Sequence, residues 1–253
     1  MSFITVYNSP LELAEGAADL FIQTAKQSIA SRGRFMAALA GGSTPEKSYI
    51  LLSKPDRSAQ IDWKRTFLFF GDERFLPLDN PDSNYNMANN ALLSHVPIPD
   101  SQIFPVNTSL SSVQAAALDY DKTLQRIFQT QLDSNPPRFD LILLGLGDDG
   151  HIASLFPGSP SLQERARRVV SSPPGRLPPP VDRVTFTYPV LNNARQVVFL
   201  AAGARKAEIL HTVLDELPGY LSAPASGVIP DGSLTWLLDK EAAANIQLIR
   251  RNI

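Results

Sequence analysis

Cysteine is absent from the 253 residues, which excludes disulfide staples, thiolate metal sites and a cysteine nucleophile at one stroke. Histidine is scarce, so histidine chemistry must fall on His95, His151 or His211. No apolar run approaches the ~20 residues of a membrane-spanning helix. The amino-terminal MSFITVYNSPLELAEG lacks the basic and long apolar stretches of a secretory leader. Neither sign of charge dominates: 23 Lys+Arg stand against 25 Asp+Glu, for a net charge of -2. That balance argues against a nucleic-acid-binding face and against an acidic disordered chain. What remains is a soluble, cytoplasmic globular protein, expected as a monomer or a weak homodimer.

A hydrophobic fraction of 43 % is enough for a sizeable core. At ~150 residues per domain the length allows one or two. Strands continue on both sides of the proline-rich Ser172–Pro180 without a shift in composition, so one domain over residues 1–253 is expected. Ser9-Pro10-Leu11-Glu12 is a capping box with proline at the first helical position, and apolar residues at helical spacing run from there to Gly33. Strands are predicted at 35–40, 66–70, 139–144, 183–188, 196–202 and 234–238. Helices are predicted after Pro45 and at 84–93, 111–131 and 206–214. Apolar runs alternating with helices imply an α/β fold, with a mostly parallel, Rossmann-like sheet covered on both faces.

Ligands of such sheets bind at the carboxyl ends of the strands. Four ends carry unusual residues: Gly41-Gly42-Ser43-Thr44-Pro45, Gly71-Asp72-Glu73-Arg74, Gly145 to His151, and Gly203-Ala204-Arg205-Lys206. The first is either a phosphate cradle, with glycines admitting an anion to a helix N-terminus, or a tight turn capped by Ser43 or Thr44. Lys206 at the same sheet edge tips the choice toward phosphate. Gly145 to Gly150 matches G-x-G-x-x-G, but Asp148 and Asp149 would meet a pyrophosphate with like charge. No acidic strand end follows about 20 residues on, so no nucleotide cofactor is expected. His151, after a glycine turn and beside Asp149, stands where a general base belongs. His95 reads as structural, and His211 as a surface or packing residue. Asp72, Glu73, Asp148, Asp149 and His151 lack the paired spacing of metal ligands, so no metal is expected.

Three strings then become specific: Phe69-Phe70-Gly71-Asp72-Glu73-Arg74-Phe75-Leu76-Pro77, Pro81 to Met87, and Gly145-Leu146-Gly147-Asp148-Asp149-Gly150-His151 through Gly158. With Arg183-Val184-Thr185, Gly203 to Ala207 and Trp236 to Asp239, they resemble the 6-phosphogluconolactonase family, which groups with glucosamine-6-phosphate deaminase. The resemblance runs through nearly the whole chain in order. It implies hydrolysis of 6-phospho-D-glucono-1,5-lactone in the oxidative pentose phosphate pathway, so the expected partner is a small sugar phosphate lactone. By matching position it also implies a substrate and phosphate site of Gly42, Ser43, Arg74, Arg183 and Lys206, to which the strand ends add Gly41, Thr44 and Asp72 as candidates. His151 would be the base, with Asp149 beside it. Arg74 or a backbone N–H near Gly41 would meet the oxyanion. The sequence departs from the family with Asp148 where lactonases often carry Pro, Ile152 for Thr and Asn86 for Gly. The deaminase carries an Asn-Glu pair before the proline, where this chain has Leu155 and Phe156. The third alternative, a sugar-phosphate sensor, is expected to carry a DNA-binding segment, and none precedes Phe3.

Overall fold

The computed structural model describes residues 2–130, 136–175 and 179–247. In chain order the elements begin β1 (Ser2–Tyr7), α1 (Pro10–Arg32), β2 (Phe35–Leu39), α2 (Ser43–Leu52), α3 (Pro55–Ser58), β3 (Thr66–Phe70) and β4 (Asp72–Arg74). They continue α4 (Asn84–Ala91), β5 (Ile103–Phe104), α5 (Val113–Phe128), β6 (Leu141–Leu144), β7 (Val169–Ser172) and β8 (Arg183–Phe186). The last are α6 (Tyr188–Asn192), β9 (Gln196–Ala201), α7 (Ala207–His211) and β10 (Ser233–Asp239).

Seven strands pair in parallel in the order β1-β10-β9-β6-β2-β3-β5. The fold is the Rossmann-like α/β sheet that the apolar runs imply. Every residue of β2 and β6 is buried, because helices cover both faces and leave no side for polar residues. Phe35, Ala37 and Leu39 pack with Leu13, Phe21 and Tyr49 of α1 and α2. Met36 and Ala38 point the other way, into a core with Val113, Tyr120 and Leu124 of α5. α1 starts as the sequence indicates, with Ser9 Oγ accepting from Glu12 N. The Glu12 carboxylate, however, reaches back to Asn8 N rather than to the cap residue. No helix among the described residues is long and apolar enough to cross a membrane.

From β2 the chain runs to β3 and β5 on one side, then returns to β6 on the other. That reversal makes a crevice beyond the carboxyl ends of β2 and β6, the position at which open α/β sheets take ligands. A second, three-stranded antiparallel sheet, β4-β8-β7, rises next to it and sets Arg74 opposite Arg183.

Several expected boundaries move for local reasons. The strand expected over 183–188 ends at Phe186, because Tyr188-Pro189 opens α6 with its proline in the first turn. The helix expected over 206–214 divides into a 3₁₀ turn at Ala204–Lys206, α7, and a π turn at Thr212–Glu216. The strand expected from Phe139 starts at Leu141. The helix expected over 84–93 stops at Ala91. The helix expected over 111–131 is α5, whose end at Phe128 is followed by Gln129 in the left-handed region; Gln131 lies outside the described residues. So do residues 176–178 of the proline-rich stretch.

Candidate active site

The loops after β2, β3, β6 and β9 surround a cleft of about 250 Å³. Gly41, Gly42, Ser43, Thr44, Asp72, Arg74, His151, Arg183 and Lys206 all line it. Asp149 sits behind the wall, in contact with His151. Residues from four strand ends and from the smaller sheet thus meet in one place.

After β6 the chain makes a tight turn in which Gly150 N donates to Gly147 O and Gly147 N donates to His151 O. The turn folds Asp149 back, so that its Oδ1 accepts both His151 N at 3.1 Å and the His151 Nδ1 proton at 2.6 Å. Burial works to raise the Asp149 pKa, but the hydrogen bond and charge of His151 outweigh it and hold the carboxyl below its ordinary value. Asp149 is therefore a carboxylate at neutral pH. It fixes the tautomer with the proton on Nδ1 and leaves Nε2 as an acceptor without a protein partner among the described residues. Phe156 packs against the imidazole, its ring centroid 4.9 Å away. The next residue but one after His151, Ala153, also lines the cleft with φ 45°, a conformation that costs a residue with a Cβ.

The pair lies against Gly147, where an added Cβ would stand 2.0 Å from His151 Nδ1. Gly147→Ala is therefore expected to displace the ring and cut kcat by about 10²-fold, the scale of a 1 Å misplacement of a reacting group. Turnover assays on the purified variant check this; wild-type kcat would mean the ring position is not critical.

Ser43 and Thr44 do not act as caps. The cap of α2 is Gly42, at φ 101°, and among the described residues no side chain caps the first turn. The Ser43 and Thr44 amides thus remain for an anion, with the helix dipole behind them. Across the cleft, Arg183 is 5 % exposed and donates to Val181 O and Pro179 O. Burial lowers its pKa, and the like charge of Arg74 pushes the same way. Arg74 Nη1 donates to Asp82 O, while its buried Nε has no partner among the described residues. Two guanidiniums side by side with an unsatisfied donor form a site suited to a multiply charged oxyanion. Lys206 Nζ pairs with Asp148 at the rim, and an anion bound there would draw it from that carboxylate. Such partly exposed pairs are worth ~0–1 kcal/mol, against ~1.5–3 kcal/mol for a hydrogen bond to a charged group.

Asp72 is 8 % exposed and accepts Ser154 Oγ at 2.6 Å and Asn84 Nδ2 at 3.2 Å. Its neighbour Glu73 turns away from the cleft and accepts the amides of Arg74, Asn84 and Tyr85 and the Ser83 hydroxyl. Burial raises the Glu73 pKa despite these bonds. Glu73 thus anchors the start of α4 and through it places Asn84 in the cleft wall. Sequence reasoning missed Asn84, Ser154 and Arg205. The signal for Asn84 was the Ser83 cap motif, which places the following side chain at a helix start. His95 hydrogen-bonds Asn90 O, and His211 pairs with Asp215, both away from the cleft. No three His, Asp or Glu side chains gather to hold a metal ion among the described residues.

Fold and site together define an α/β protein with a cationic cleft at a sheet switch point, beside a carboxylate-backed histidine. The sequence profile of the glucosamine-6-phosphate isomerase and 6-phosphogluconolactonase family matches residues 8–236. A 6-phosphogluconolactonase of Rattus norvegicus is 42% identical over 95% of this chain and 92% of its own. Another, from Synechocystis sp., is 40% identical over 87% of this chain and 88% of its own. The solved 6-phosphogluconolactonase of Trypanosoma cruzi superposes with a TM-score of 0.87 at 34% identity, covering 97% of each chain. The chain belongs to the glucosamine-6-phosphate isomerase/6-phosphogluconolactonase family.

Proposed function

We propose that this chain hydrolyses 6-phospho-D-glucono-1,5-lactone to 6-phospho-D-gluconate. The observation that carries the reading is the hydrogen bond from His151 Nδ1 to Asp149 at the wall of a cleft lined by Arg74, Arg183 and Lys206. The Ser43 and Thr44 amides, the two arginines and Lys206 bind the phosphate, remote from the reacting carbonyl. That binding energy holds the ester carbon against the base.

His151 Nε2 takes a proton from water as the water oxygen adds to the lactone carbonyl. The tetrahedral oxyanion then collapses, the bond to the ring oxygen breaks, and the leaving oxygen takes the proton back from the imidazolium. Asp149 stabilises the imidazolium between the two transfers. The acid product ionises and releases one proton per turnover.

Within the family the other reading is a deaminase, whose sugar ring opening needs a further proton-transfer partner next to the histidine. Here Phe156 stands before the proline where the deaminase carries its glutamate, and its ring, packed against His151, can relay no proton. The lactone is accordingly expected to turn over with no ammonia released from glucosamine 6-phosphate. An enzyme-coupled ammonia assay beside the lactone assay tests this. Ammonia release at rates matching lactone hydrolysis would reverse the two readings.

A further inference from the structure

The catalytic cleft uses the carboxyl ends of the strands. At the amino ends, the three adjacent strands β9, β6 and β2 are each entered through an arginine: Arg195 directly before β9, Arg138 shortly before β6, and Arg34 directly before β2. Arg32, in the last turn of α1, joins them. All four line one cleft of about 900 Å³.

Among the described residues a single carboxylate stands between them. Asp140, 4 % exposed, accepts the Met36 N–H at 2.8 Å with one oxygen. Its other oxygen meets Arg32 Nε at 2.8 Å and Arg195 Nε at 3.5 Å. The carboxylate is fully engaged, and none pairs with Arg34 or Arg138 among the described residues. Among the described residues, four guanidiniums against one carboxylate leave three positive charges uncompensated, on a chain whose net charge is -2. Burial and the like charges of Arg32 and Arg138 lower the Arg195 pKa, against the pull of Asp140.

Guanidinium forks grip phosphate oxygens in pairs. Neighbouring strands lie ~4.8 Å apart, so the entries of β9 and β2 are separated by ~10 Å. Arg32 and Arg195 reach across that span to one Asp140 oxygen, and the further charges of Arg34 and Arg138 favour an anion of two or three linked phosphoryl groups over a single phosphate. We propose that this arginine cleft binds polyphosphate groups, a full strand length from the catalytic cleft. Inorganic polyphosphate and nucleoside polyphosphates share the chemistry, and Phe128 in the cleft wall offers an attached ring an apolar contact.

Calorimetric titration of the intact protein with tripolyphosphate, and separately with ATP, tests the site. Saturable 1:1 binding is expected, weakened by about tenfold or more in the double variant Arg34→Gln/Arg138→Gln, which removes two charge-assisted contacts. The same binding is expected to persist in Lys206→Gln, which disarms the catalytic clamp instead. Lactonase activity and thermal midpoint of the double variant, at exposed arginines, serve as controls for folding. Tighter binding of ATP than of tripolyphosphate identifies a nucleotide as the ligand source, and the reverse order an inorganic one. Absence of saturable binding, equal affinity in wild type and double variant, or loss of binding in Lys206→Gln overturns the proposal.

Discussion

Replacing His151 with asparagine is expected to lower kcat by ~10²–10⁴-fold, the usual contribution of a positioned general base, with KM little changed. Asparagine preserves a polar side chain that can donate to Asp149, so the turn from Gly147 to His151 need not reorganise. It cannot accept a water proton, and the loss falls on the chemical step. The groups proposed to bind phosphate stand on other elements: the start of α2, the facing strands β4 and β8, and the loop after β9. Ground-state binding should therefore survive. Asp149→Asn gives a graded test of the same unit, because it removes the charge that favours the imidazolium. A fall in kcat smaller than that of His151→Asn is expected. Full turnover by a folded His151→Asn protein would remove His151 from the mechanism.

Lys206→Gln is expected to cost roughly 1.5–3 kcal/mol in kcat/KM on the phosphorylated lactone, about ten- to a hundred-fold. On the unphosphorylated lactone the same substitution should change little, since the contact it removes is absent from that substrate. Comparing the two lactones separates phosphate binding from a general effect on the site, including the release of Asp148 from its ion pair. An equal loss on both would assign Lys206 to a step at the reacting carbon instead.

The sequence carried the site more fully than the sheet around it. Strands β2, β3, β6 and β9 are buried on both faces, so their apolar runs are visible, and each ends in glycine-bearing loops whose polar residues line the cleft. β4 is illegible because Asp-Glu-Arg has no hydrophobic signature, and its strand exists through pairing with β8. Yet that pairing is what sets Arg74 beside Arg183, a relation that spacing along the chain cannot reveal. β1 is an edge strand with Phe3 and Val6 exposed, paired only with β10 from the far end of the chain. The Asp148–Lys206 contact likewise joins residues 58 positions apart. Asp239, which accepts Gly203 N at 3.0 Å and thereby ties the Lys206 loop to β10, depends equally on tertiary placement.

The most direct test of the central claim is a pH-stat measurement of proton release from freshly made 6-phospho-D-glucono-1,5-lactone, corrected for spontaneous hydrolysis. The expected result is a rate above background that scales with enzyme concentration and falls close to background in His151→Asn. Proton release that stays at the spontaneous rate at every enzyme concentration would contradict lactone hydrolysis by this protein.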